Sequence, residues 1–275
     1  MKKKLMALLL CSVTAVMLAA CGSSNEGSAS EEKVYLEDSQ IQQLFTDPEQ
    51  FKGKYAKMSG VLLANPETDS DGSTALQIFY DTQNYDQNFI VYTDNADASL
   101  KSGDYVKVDG KVRGKFTGQN AMGAEISIPA IENASVTKST YMDVVAPTTA
   151  ALEPNVSSEQ HGITASVDKV EYSDLETRVY MTVKNDSSDN VSLDVYGIKL
   201  IMDGQQIAQD NNSVSSFNGN YAELNYDIAA GASSSGILVF PAIEQKKDFQ
   251  VVLSNVISDD YELDFDTYTL NISAQ

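Results

Sequence analysis

Val106, Val108, Gly110, Val112, Gly114 and Phe116 alternate with Lys107, Asp109, Lys111, Arg113 and Lys115. A period of two sends the first set to one face of an extended strand and the second set to the other. A helix would scatter both sets around its circumference, so this stretch belongs to a sheet with one buried face and one basic face. Gly110 and Gly114 fall on the inward set, where a missing side chain permits the sharp coiling of a small barrel.

The same switch between apolar runs and polar turns marks neighbouring strands at 54–64, 74–81, 88–94 and 124–137. With the basic strand, read as 104–116, they predict a small five-stranded barrel of OB type over residues 33–138. A short helix is expected ahead of it. Asp38 or Ser39 can cap that helix, Ile41, Leu44 and Phe45 recur at helical spacing, and Asp47-Pro48 stops it.

Residues 139–159 contain Pro147, Thr148, Thr149 and Pro154 with little alternation, and read as a linker. Alternation returns at Ile163, Ala165 and Val167. Val179 to Val183 then run into the turn Asn185-Asp186-Ser187-Ser188-Asp189-Asn190, and later strands are suggested at 193–202, 234–241, 248–254 and 262–272. Seven or so short strands over 160–275 predict an immunoglobulin-like β-sandwich. The chain is therefore expected to be all-β, with a small OB-like five-stranded barrel followed by an immunoglobulin-like sandwich.

Two resemblances accompany these patterns. Ser102-Gly103-Asp104-Tyr105-Val106-Lys107-Val108-Asp109-Gly110-Lys111-Val112, together with Asp47 to Lys54 running into Met58-Ser59-Gly60-Val61, resembles the OB-like module of bacterial surface proteins. It departs from the nucleic-acid-binding OB folds in having little connecting helix between the third and fourth strands. Arg178-Val179-Tyr180-Met181-Thr182-Val183-Lys184-Asn185, then Ala230-Gly231-Ala232 with Gly236-Ile237-Leu238-Val239-Phe240-Pro241, resembles an immunoglobulin-like domain recurrent in Gram-positive lipoproteins. That family is of unassigned function and is related in fold to immunoprotective extracellular antigens of mycobacteria. The resemblance brings no catalytic motif.

The N-terminus carries an address. Lys2, Lys3 and Lys4 precede an apolar run from Leu5 to Leu18, which ends in the small pair Ala19-Ala20 before Cys21. This is the order of a secretory signal, here residues 1–20. The run is shorter than the roughly 20 residues that span a bilayer. Leu18-Ala19-Ala20-Cys21 resembles the bacterial lipobox, which implies cleavage before Cys21 and diacylglyceryl transfer to its sulfur. The other reading is an ordinary secretory signal that Cys21 happens to follow. Two acyl chains satisfy the requirement for stable anchoring. Residues 21–32, rich in Gly and Ser, read as a flexible spacer from the membrane.

Composition then excludes several chemistries. Cys11 leaves with the signal and Cys21 is acylated, so disulfides, thiolate metal sites and cysteine nucleophiles drop out. The signal holds three of the 19 basic residues and none of the 39 acids, which leaves the remainder at a net charge of −23. Such a chain repels polyanions at long range and disfavours nucleic acid as a partner.

His161 is the single histidine and stands at the linker edge beside Gly162, a poor place for a triad or a histidine metal site. Asp260, Glu262, Asp264 and Asp266 alternate with Tyr261, Leu263 and Phe265, as the solvated face of a strand would. Glu67, Asp69 and Asp71, with Gly72, match the first half of a calcium loop. The twelfth position, however, is Ile78 where a bidentate Glu is required. A polar hairpin loop explains the same residues.

The remaining candidate is the basic strand. Lys107, Lys111, Arg113 and Lys115 share one face in a barrel with 10 basic and 15 acidic residues, whereas 157–275 holds 6 and 19. OB barrels bind oligomers across the second and third strands, where Gln77, Phe79 and Tyr92 are expected to face outward. A cell-wall polymer or an envelope protein would be the partner. These features predict a non-catalytic, lipid-anchored binding or scaffolding module on the extracytoplasmic side of the cell membrane, with no cofactor. The alternative is a ligand- or ion-binding accessory subunit of a membrane transporter or sensor.

Overall fold

The computed structural model describes residues 32–119, 125–210, 219–260 and 263–274. Cys21, the expected signal and nearly all of the expected spacer lie outside them. Helix α1 (Asp38–Thr46) is capped by Glu37, one residue before Asp38 and two before Ser39, because Gln40 Oε1 accepts the Glu37 N–H at 3.0 Å and closes a capping box. Pro48, which cannot continue the helix, starts a 3₁₀ turn (Pro48–Phe51). Ile41, Leu44 and Phe51 point into the barrel core and are buried. Full burial of such side chains stabilises by about 1.5–3 kcal/mol each.

The barrel strands are β1 (Tyr55–Leu62), β2 (Glu67–Thr68), β3 (Thr74–Phe79), β4 (Asn88–Thr93), β5 (Tyr105–Gln119) and β6 (Glu125–Ser139). The sheet runs β1-β5-β6-β4-β3, and a further β1–β3 pairing, Val61 opposite Phe79, closes the ring. All of these pairings are antiparallel except β4–β6, which is parallel at Ile90–Ala130 and Val91–Ile131. That is the five-stranded partly closed barrel expected from the sequence, with β2 as a two-residue arm on β3. Register shifts at Asp109/Lys111 and Val112/Gly114 bend β5 where the two inward glycines stand. A Cβ on Gly110 would sit 2.5 Å from Ile131 Cγ2, and Gly114 has φ +112°, so both sites need glycine to let the strand curl.

Residues 139–159, expected as a linker, are built into the fold. Helix α2 (Tyr141–Val144) is capped by Thr140, and β7 (Ala150–Leu152) and β8 (Val156–Gln160) both pair with β9 (Ile163–Tyr172). Edge strands of this kind are held by backbone hydrogen bonds and need no strong apolar alternation. His161 and Gly162, both at positive φ, form the two-residue turn between β8 and β9. That is the twist a tight hairpin requires.

The remaining strands are β10 (Glu176–Asn185), β11 (Val191–Leu193), β12 (Lys199–Met202), β13 (Gln205–Ala208), β14 (Asp227–Ile228), β15 (Ser233–Pro241), β16 (Phe249–Leu253), β17 (Val256–Ser258) and β18 (Tyr268–Ile272). One sheet runs β15-β10-β9-β7 and another β13-β12-β16-β18, with a small third sheet β14-β11-β17. Their inner faces share one core that includes Val167, Val179, Met181, Leu200, Phe240 and Val251. The chain passes from the first sheet (β7 to β10) through β11 to the second (β12 and β13), returns to the first at β15 and ends in the second, so the two sheets are interleaved along the sequence as in a β-sandwich.

Two expected strands are shorter than predicted. The 193–202 stretch is broken by a 3₁₀ turn, Val195–Gly197, because the Asp194 carboxylate accepts the Gly197 N–H at 3.0 Å. The 262–272 stretch becomes strand only at Tyr268. Asp264 and Asp266 lie in irregular chain whose backbone is tied to the hairpin, Asp264 O to His161 Nε2 at 3.1 Å and the Asp266 N–H to Gln160 Oε1 at 2.8 Å. Tyr261 and Glu262 lie outside the described residues.

Candidate functional site

The outward residues of β5 do not form one continuous stripe. Asp109 divides it, and its carboxylate accepts the Tyr35 hydroxyl at 3.0 Å to each oxygen. Lys107 approaches Asp143 at 3.9 Å and borders a separate cleft of 390 Å³ beside α1. Lys111, Arg113 and Lys115 instead border a groove of 510 Å³ together with Lys52, Glu49 and Glu132. Four cations thus face two acids, in a chain whose formal charge is −20.

The bulge at Gly114 builds this groove. Glu49, on the 3₁₀ turn, lays its carboxylate against the bulge and takes the Lys115 N–H at 2.7 Å. A side chain at position 114 would collide with that carboxylate, since its Cβ would fall 2.5 Å from Glu49 Oε1. Arg113 is directed the other way. Its guanidinium lies 5.1 Å above the Tyr92 ring and 4.0 Å from Glu132 Oε2, in the geometry of a cation–π contact. β6 separates β5 from β4, so Arg113 spans it and joins the groove to the outer face of β3 and β4.

That face carries the other sequence-selected residues. Gln77 and Tyr92 are half-buried, and the Gln77 amide donates to Asn88 Oδ1 at 3.0 Å. Phe79 is covered at one edge by Tyr85, with ring centroids 5.1 Å apart. Asp81 holds the loop that carries Tyr85. Its carboxylate accepts the N–H groups of Asn84 and Gln83 and the Asn84 amide, and these bonds hold its carboxyl down to about 2.

The structure therefore brings together Lys111, Arg113, Lys115 and Tyr92, places Gln77 and Phe79 on the outer face of β3 that adjoins them, and leaves Lys107 beside a different cleft. Lys52, Glu49 and Glu132 were missed by the sequence reading. Their relation to β5 depends on strand pairing and on a side chain reaching a bulge, and neither has a local signature.

The acidic loop is a hairpin. The Asp69 N–H donates to Ser73 O at 2.8 Å, the Gly72 N–H to Asp69 O at 3.0 Å, and Asp71 Oδ1 accepts the Ser73 N–H at 3.1 Å. Glu67 lies on β2 opposite Ala75, and Ile78, the twelfth position of the calcium pattern, is fully buried in the barrel core. Among the described residues no group of three acidic, histidine or cysteine side chains is placed to hold a metal ion.

A second polar cluster had no sequence signal beyond its strand pattern. Arg178 is wholly buried on β10, and its guanidinium donates to Glu171 Oε2 (3.1 Å), Glu176 Oε1 (2.8 Å), Ala146 O (2.9 Å) and Thr148 Oγ1 (2.7 Å). Tyr180 and Lys169 also donate to Glu171, and the Tyr221 hydroxyl donates to Glu176. The segment after α2 is thereby tied into the sandwich. Tyr141 continues the joint, lying edge-on to Tyr105 at 5.8 Å and to Tyr221 at 6.5 Å.

No protein-family model matches the chain, and no curated protein matches it. Among solved structures, it is similar to a functionally unknown protein from Listeria monocytogenes EGD-e, at 15% identity and a TM-score of 0.34, over 47% of this chain and 88% of that one. It is also similar to a conserved domain protein from Bacillus anthracis, at 10% identity and a TM-score of 0.31, over 83% and 78%. Among the described residues no helix is long and apolar enough to cross a membrane.

Proposed function

We propose that this chain is an exported lipoprotein, held at the extracytoplasmic face of the cell membrane through Cys21, whose barrel binds anionic polymer of the cell envelope without chemical turnover. The observation that carries the binding reading is the groove around the Gly114 bulge, where Lys52, Lys111, Arg113 and Lys115 outnumber Glu49 and Glu132. A local excess of cations on an acidic protein concentrates a polyanion at one place while the rest of the surface repels it. Tyr92 and Gln77 extend the contact surface along β3 and β4 for a chain-like ligand.

Anchoring rests on the lipobox-like Leu18-Ala19-Ala20-Cys21. The test is sedimentation of the protein with isolated cell wall, comparing wild type with Lys111→Glu plus Arg113→Glu. The double change turns four cations and two acids into two cations and four acids. Co-sedimentation should be lost in the variant and weakened by added salt in the wild type, since exposed charges are screened over about 8–10 Å. Unchanged co-sedimentation of the variant rejects the reading.

A further inference from the structure

The outer face of the sheet β15-β10-β9 holds a second groove, of 600 Å³, remote in chemistry from the basic one. A bulge in β9 builds it. Tyr180 pairs with Lys169 and Met181 with Val167, so Asp168 is the extra residue, and both Asp168 and Lys169 turn outward where strict alternation would have buried one of them. Bulges re-aim side chains in this way at functional surfaces. Two segments wall the floor. On one side Ala222 O accepts the Ile237 N–H at 2.8 Å, and on the other the β7–β8 turn is held at Asn155, with φ +48° and its amide donating to Glu153 O.

The floor has one apolar rung and one polar rung. Tyr180 faces Ile237 across β10 and β15, and Thr182 faces Ser235. The protons of the polar rung can be assigned. Thr182 Oγ1 donates its single proton to Asp168 Oδ2 at 2.8 Å, so the 2.8 Å contact between Thr182 and Ser235 is donated by Ser235. Ser166 Oγ donates to Asp168 Oδ1 at 3.1 Å. Ser166 Oγ also lies 3.3 Å from Thr182 O, so its single proton is shared between two acceptors; the Thr182 hydroxyl points to Asp168 and that of Ser235 to Thr182, which leaves acceptor lone pairs on Asp168 and Ser235 toward solvent. Lys169 Nζ and the Tyr180 hydroxyl both donate to Glu171, and the Lys169 ammonium lies 4.1 Å above the centroid of the Tyr180 ring.

A row of acceptors beside an apolar rung selects a ligand that brings several hydroxyl donors on one edge and C–H groups on its face. We infer that this groove is a saccharide-binding site, in which Asp168 and Ser235, held in line by Thr182, accept from ring hydroxyls while the sugar lies against Ile237 and Tyr180. The volume falls within the range of small-ligand sites. Asp168 and Glu153 repel the phosphates that the barrel groove would attract, so the two surfaces take different components of an envelope. A repeated acceptor row also suits a polyol better than a lone ammonium, which needs one carboxylate.

The test is isothermal titration of the full chain carrying Cys21→Ala with cellotetraose, chitotetraose and maltotetraose, and with polyphosphate and an oligolysine as controls. At least one tetrasaccharide should give saturable heat. Asp168→Ala and Thr182→Val should each weaken it about tenfold, the loss of one charge-assisted or buried hydrogen bond. Lys111→Glu plus Arg113→Glu should leave it unchanged, which separates this site from the barrel groove. Ser235→Ala, a surface change, is the second probe if either variant melts early. The inference is overturned if no tetrasaccharide binds, if the Asp168, Thr182 and Ser235 variants bind as wild type, or if only polyphosphate or oligolysine binds.

Discussion

Replacing Arg178 with Met removes a guanidinium that is fully buried and bonded to two carboxylates, a carbonyl and a hydroxyl. The methionine fills much of the aliphatic volume but satisfies none of these groups. Glu176 is 3% exposed, and its Oε2 already has no partner among the described residues, so the variant leaves a buried carboxylate with the Tyr221 hydroxyl but without its counter-charge. Breaking such a pair costs about 3–5 kcal/mol. At about 2–4 °C per kcal/mol for a unit of this size, the melting temperature should fall by roughly 6–20 °C. The assay is thermal unfolding followed by circular dichroism for Arg178→Met, Glu176→Gln and the double variant. The double variant should recover part of the loss, because the neutral amide that replaces the Glu176 carboxylate no longer needs a counter-charge, and the coupling should lie at about 0.5–3 kcal/mol. An Arg178→Met melt within about 2 °C of wild type, or strict additivity of the two changes, would refute the view that this cluster holds the joint.

Glu171 should make the protein acid-labile. Burial pushes its carboxyl up, but the hydrogen bonds from Lys169 and Tyr180 and the charges of Lys169 and Arg178 hold it below the usual carboxylate value. A depressed folded value adds stability that is present above the unfolded value and is lost as pH falls through the folded one. Denaturant midpoints measured downward from pH 7 should therefore drop below the ordinary glutamate range, and Glu171→Gln should flatten that drop; parallel curves would remove Glu171 as the cause. Gly60→Ala should destabilise the barrel by about 1–3 kcal/mol, since its Cβ would sit 2.0 Å from the Phe79 carbonyl oxygen at the β1–β3 closure. A midpoint shift under about 0.5 kcal/mol in urea would show that the closure gives way without strain. In cells, labelling with a radioactive fatty acid should disappear in Cys21→Ala, and labelling that persists in the variant would contradict lipid attachment at that sulfur.

The strands of the barrel were legible because each buries one face, and a single buried face writes a period of two into the sequence. Observed bounds for β1 and β3 to β6 fall within about three residues of those expected, within the usual uncertainty of strand ends. β7 and β8 left no such trace, because edge strands are held through backbone groups that every residue possesses. The broken strand at Asp194 was hidden for a related reason. Its side chain bonds to the Gly197 N–H locally, and apolar periodicity does not report that competition.

The candidate sites divide along the same line. Sequence alone determined that Lys111, Arg113 and Lys115 face outward from a strand, because alternation fixes the face of a residue. It equally determined that no multi-histidine site can operate, because His161 is the single histidine of the chain. Tertiary structure decided that Lys107 belongs to another cleft, that Glu49 braces the Gly114 bulge, and that Asp168 enters a hydroxyl row with Thr182 and Ser235. Those relations join residues up to 66 positions apart, as between Glu49 and Lys115, or depend on one extra residue in a strand. Only the closing of the sheets brings such groups within hydrogen-bond reach, and a bulge inverts the very alternation from which the faces were read.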